Sequence, residues 1–80
     1  MVTPESIQHD IAQNMPTVYL TVTGDGQHFD AIVVSEEFAG KSRIQRQQLV
    51  YKTLGDRMKG EIHALSMKTY TQEEWESSRK

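Results

Sequence analysis

The 80-residue sequence contains no cysteine, so no disulfide staples the fold and no thiol of this chain can serve as nucleophile or metal ligand. A soft metal bound here must take its sulfur from another molecule. Nor is there an apolar run long enough to cross a bilayer, and the opening MVTPESIQHD lacks the basic flank and apolar centre of a signal peptide. The expected compartment is the cytoplasm, with no membrane among the partners. Positive charge is also short: the formal net charge is -2, which argues against affinity for phosphate backbones through overall charge and leaves that role to a local basic patch. Catalytic signatures are missing too. There is no His-Glu-x-x-His pairing, and the serines lie in cap or strand contexts with no base beside them, so the chain is not expected to be an enzyme. Gly40-Lys41-Ser42 ends like a phosphate-binding loop, but Ser35 stands where that motif needs its first glycine.

What is present is the make-up of one ordinary globular domain, with 36% hydrophobic and 25% charged residues and an ordered core expected over about 3–76. Thr3-Pro4-Glu5 opens a helix, with threonine as cap and proline at a tolerated first position. Ile7, Ile11 and Met15 continue it at helical spacing, and Pro16 ends it near Asn14; His9, off the stripe, reads as a surface residue. Two β-prone runs, 17–23 and 28–35, flank Gly24-Asp25-Gly26-Gln27, a strong hairpin signal. A two-residue Asp25-Gly26 turn would set Val22 opposite Phe29, Leu20 opposite Ala31 and Val18 opposite Val33. His28 would then stand at the hairpin mouth on the more polar face, either as a solvated turn residue or as a ligand.

In the connection over 36–41, Phe38 is expected to tuck under the domain and Gly40 to turn the chain. Ser42 with Gln45 has capping-box spacing, and Ile44, Val50, Tyr51, Leu54 and Met58 gather on one side of the helix that follows. Thr53 and Gly55 weaken that helix, which can break in two. Arg43, Arg46 and Arg57 form a basic flank on it, the one stretch suited to nucleic acid or an acidic partner, with Lys41, Lys52 and Lys59 elsewhere. A strand from Ile62 to Thr69 follows, then a helix capped by Thr71 and Glu74, with Trp75 packed on the sheet or its edge and the chain fraying from Ser77. His63 lies inside this strand between Ile62 and Ala64. Periodicity leaves open which sheet face carries it.

Taken together, GDGQHF (24–29), VVSEEFAGKSRIQRQQLVY (33–51) and IHALSMKTYTQEEW (62–75) resemble the BolA family, with its IbaG branch nearest. The resemblance implies an α/β (α+β) fold, a single compact BolA-like domain similar to the type II KH arrangement. That fold has a three-stranded mixed sheet with helices packed on one face, in the order α-β-β-α-α-β-α. KH domains clamp nucleic acid with a Gly-x-x-Gly loop, which this sequence lacks. The resemblance further implies a heterodimer with a monothiol glutaredoxin around a bridging 2Fe-2S cluster. There the glutaredoxin and glutathione would give thiolates, while His63 and, from the hairpin, His28 would give imidazole. No cofactor is expected on the isolated chain, which would be a monomer or weak homodimer. DNA is the second partner class that the resemblance brings, in a stress-response regulator, with Arg43 and Arg46 as candidate contacts and Lys41 on phosphate.

Overall fold

A computed structural model describes residues 2–60, 62 and 64–79. In chain order these form α1 (Pro4–Asn14), β1 (Tyr19–Gly24), β2 (His28–Val34), a 3-10 turn (Glu36–Phe38), α2 (Arg43–Leu54), α3 (Arg57–Gly60), β3 (Ala64–Tyr70) and α4 (Gln72–Ser78). The sheet order is β1-β2-β3, with β1 antiparallel and β3 parallel to the central β2. The expected mixed three-stranded sheet and element order are therefore present.

Local chemistry sets most of these boundaries. Thr3, Ser42 and Thr71 each cap a helix, and each side-chain oxygen accepts the backbone N–H three residues on, from Ser6, Gln45 and Glu74. The second helix does break: Gly55 takes φ +57, a left-handed conformation suited to glycine, and α3 starts just beyond it. α4 runs to Ser78, so Ser77 is helical where fraying was expected.

The face of the sheet formed by Val22, Phe29, Ala31 and Val33 is buried, and Ile7 and Ile11 of α1, Val50 and Leu54 of α2, Phe38 and Ile62 complete the core with it. Ile44 departs from the helical-wheel reading. It is 67% exposed, because α2 turns Val50 and Leu54 inward and Ile44, in the first turn of the helix, projects past the edge of the core. On the other sheet face, Trp75 of α4 stacks on Tyr19 at 5.0 Å and tilts against Tyr70 at 5.3 Å, capping the end of the sheet where Tyr19, Val34 and Tyr70 are in register. Ser35, wholly buried, donates its hydroxyl to the Pro16 carbonyl (2.7 Å) and accepts from the Glu37 N–H (3.1 Å), so its burial carries no unpaired polar atom.

The hairpin forms, in a different register. Gly24 pairs with Phe29, Val22 with Ala31 and Leu20 with Val33. Each partner is thus two residues from the position that a two-residue turn would give, and because the side-chain period is two, every residue keeps its face. The cause is Asp25. Its Oδ1 accepts the N–H groups of both Gln27 (2.9 Å) and His28 (2.9 Å), and its own N–H donates to the His28 carbonyl (3.2 Å), which stabilises a longer loop. Phe29 then lies over Gly24, where an added Cβ would come within 2.5 Å of both the His28 carbonyl and the Phe29 ring. Gly24→Ala is expected to cost about 2 kcal/mol, read as a fall of roughly 10 °C in the thermal midpoint. An unchanged midpoint would mean that the ring does not need this gap.

Candidate functional site

His28 opens β2, the central strand. The residue after it, Phe29, is buried, so alternation puts the His28 side chain on the opposite face, where it is exposed. Its backbone is held at both polar atoms by Asp25, and the two amides that the carboxylate accepts, His28 first and Gln27 second, hold the Asp25 carboxyl below its ordinary range. A ring on such a backbone starts from a fixed point. Across the sheet His28 pairs with Ala64, the residue that follows His63 in the chain. His63 itself, and with it the question of which face carries it, lies outside the described residues. Its neighbour Ile62 is 3% exposed, sits in the core and donates its N–H to the Arg57 carbonyl at 3.0 Å.

Among the described residues no three His, Cys, Asp or Glu side chains lie close enough together to hold a metal ion. The described part of the chain therefore builds no closed metal site. It offers an open imidazole, which suits a centre completed by ligands from a second molecule. His9 is exposed on α1, as its place off the apolar stripe suggested.

The second candidate region lies around the start of α2. Lys41, Arg43, Arg46 and Gln47 form one wall of a cleft of about 620 Å³, and residues 67–70 of β3 form the other. The structure brings the three sequence-selected cations together here, but not in equal states. Arg46 is an internal tie with its side chain only 13% exposed. It donates Nη1 and Nη2 to the two carboxylate oxygens of Glu74 (2.7 and 3.2 Å) and Nε to the Lys41 carbonyl (3.0 Å), and its guanidinium lies 5.8 Å over the Phe38 ring. Arg57 is used in the same way: from α3 it bonds Asp10 and the Ser6 hydroxyl (2.9 Å), fastening α3 to α1. Lys41 and Arg43 are exposed, and neither makes an ion pair with another described residue. The three arginines of the helical-wheel flank thus resolve into two structural struts, Arg46 and Arg57, and one cation facing solvent, Arg43, with Lys41 exposed just before the helix.

The fold is that of a small α+β domain with one mixed three-stranded sheet and four helices. The profile of BolA-like proteins matches residues 1–74, and the chain belongs to the BolA family. It is 40% identical over 79 residues to "BolA-like protein 2" of Saccharomyces cerevisiae, covering 92% of this chain and 65% of that protein. It is 48% identical over 60 residues to "Acid stress protein IbaG" of Escherichia coli, covering 74% and 71%. To the "DNA-binding transcriptional regulator BolA" of Escherichia coli it is 35% identical over 72 residues, 90% of this chain and 63% of that one. Among solved structures, a bol-like protein of Babesia bovis superposes with a TM-score of 0.87 at 32% identity, over 100% of this chain and 96% of that one. A bolA homologue from Coxiella burnetii gives 0.82 at 40% identity, over 95% and 99%.

Proposed function

We propose that this chain is a non-enzymatic cytoplasmic adaptor that docks a monothiol glutaredoxin and shares a bridging 2Fe-2S cluster with it, in cluster trafficking or sensing. His63 is its first ligand and His28 the second or alternative one. The observation that carries this reading is His28: an exposed imidazole on a backbone clamped by Asp25, one strand across from Ala64, in a chain without a thiol. Imidazole needs only a free ring nitrogen and an open approach to bind iron, and glutaredoxin with glutathione would bring the sulfur ligands. A cluster held partly by imidazole has a higher potential than an all-thiolate one, and its iron–nitrogen bond competes with protonation. This chain's own contribution is to hold His28 at the sheet end.

The test is anaerobic reconstitution of the chain with a monothiol glutaredoxin, glutathione, iron and sulfide, followed by visible circular dichroism and by mass of the complex. The wild type is expected to give a heterodimer with a spectrum distinct from that of the glutaredoxin alone, lost in His63→Ala and altered in His28→Ala. A glutaredoxin spectrum and oligomeric state that the wild type leaves unchanged would end the proposal.

DNA binding is the second reading, favoured by the exposure of Lys41 and Arg43 and by the name of the Escherichia coli relative. With Arg46 committed to Glu74, two of the three candidate contacts, Lys41 and Arg43, remain for phosphate. The expected slope of log K against log salt is then only about -1.8, measurable by fluorescence anisotropy on a short duplex. Binding that survives Lys41→Ala with Arg43→Ala would place the DNA surface elsewhere.

A further inference from the structure

The two outer strands of the sheet differ in how their edges are finished. On β1 the outward Val22 N–H is taken by the side-chain carbonyl of Gln8 from α1, at 3.2 Å. On β3 two hydrogen bonds fix which backbone groups point where. The Tyr70 carbonyl accepts from the Ser35 N–H (2.9 Å), so Tyr70 faces β2, whereas the Thr69 carbonyl meets Arg46 Nη1 at 3.4 Å and so faces away from it. Backbone groups alternate along a strand, so the N–H and C=O of Leu65 and Met67, with the N–H of Thr69, also point away from β2. Among the described residues no strand lies against this edge. It opens instead into the cleft whose other wall carries Lys41 and Arg43, and Lys68 of β3 adds a third exposed cation there.

An unpaired row of donors and acceptors at two-residue spacing is a template for one more strand. We propose that the β3 edge is a docking groove for an extended acidic peptide segment of a partner protein, which adds to the sheet along Leu65, Met67 and Thr69. Its alternate side chains meet Lys41 and Arg43 on the helix side and Lys68 on the other. Charge complementarity commits the groove to an acidic occupant, because its lining carries no carboxylate, and its three exposed cations, Lys41, Arg43 and Lys68, make no ion pair among the described residues. The regular backbone edge favours a peptide over a nucleic acid, which has no strand to pair. Ala64, beside His28, lies about 17 Å along β3 from Thr69 at an ordinary strand rise, so the groove and the hairpin end can be occupied together, and this proposal stands apart from the cluster reading.

The test uses the full chain and a blocked six-residue peptide alternating threonine with glutamate. Its companions are the same peptide N-methylated at two central amides, a threonine-lysine version, and a six-nucleotide oligothymidylate. Amide hydrogen exchange is followed by NMR. The acidic peptide is expected to slow exchange at Met67 and Thr69 at least fivefold while leaving Lys68 and Tyr70 unchanged. Arg43→Glu with Lys68→Glu, both at exposed positions, is expected to weaken it about tenfold or more with the far-UV spectrum intact. The proposal is overturned by an absence of protection at millimolar peptide, by equal binding of the N-methylated or lysine peptides, or by oligothymidylate occupying the cleft where the acidic peptide does not.

Discussion

Phe38→Ala is expected to remove about half of the stability of this domain. The ring is wholly buried although it comes from a short 3-10 turn rather than a long element, and it is held there by what surrounds it. Ser35 caps the turn, the Lys41 N–H donates to the Phe38 carbonyl at 3.1 Å, and the Arg46 guanidinium covers the ring. Truncating a buried phenylalanine costs about 3–5 kcal/mol when the site cannot collapse, and this one cannot collapse freely because its walls belong to separate elements. A chain of this length has roughly 4–12 kcal/mol in total. The thermal midpoint should therefore fall by roughly 20 °C, with Phe38→Leu recovering much of the loss because it returns most of the volume. Urea titration followed by circular dichroism measures both. A loss below about 1 kcal/mol for the alanine variant would show that Phe38 is not a core residue in solution.

What could be read from the sequence was whatever is decided within a few residues. The Ser42–Gln45 and Thr71–Glu74 boxes are local bonds, and both are present. Gly55 announced the break after α2 because its cause is backbone freedom at one position. The hairpin shows where local reading stops. Asp25-Gly26 correctly signals a turn, yet the register depends on how the Asp25 carboxylate divides its bonds, and composition does not encode that choice. Ile44 was misplaced because a helical wheel says which residues share a face, not where along its length the helix leaves the core. Arg46 was selected for its charge, correctly as a residue of consequence, but its partner Glu74 is 28 residues away and reaches it only through the return of β3. His28 was legible as an exposed hairpin residue. Its clamp and its pairing with Ala64 needed the fold.

Arg46→Ala is expected to cost about 2 kcal/mol at neutral pH, and to do so with a particular dependence on pH. The side chain links three elements: the loop before α2 through the Lys41 carbonyl, the end of β3 through the Thr69 carbonyl, and α4 through Glu74. Removing it leaves α4 tied by Trp75 on Tyr19 and by the Gln72 N–H on the Glu36 carboxylate (2.9 Å), so amide exchange in α4 should quicken before global unfolding. The Arg46 guanidinium first, and the Thr71 amide second, hold the Glu74 carboxyl at about 2, down from its ordinary 4.5. A carboxyl lowered on folding contributes stability that is fully present above the unfolded value and is lost as pH falls through the folded one. The gap between wild type and Arg46→Ala should therefore be full at pH 7 and narrow between pH 4.5 and 2. Because the Glu74 side chain is 47% exposed, solvent screening limits the part that titrates to roughly 1 kcal/mol. The two carbonyl bonds persist in acid and keep the remainder. Glu74→Gln separates the contributions, since the amide oxygen can still accept from the Thr71 N–H, so the cap survives while the charge is gone. Urea midpoints of wild type, both single variants and the double variant at pH 7 and pH 2.5 close the cycle. A coupling that is the same at both pH values would assign Arg46 to packing on Phe38 rather than to its ion pair.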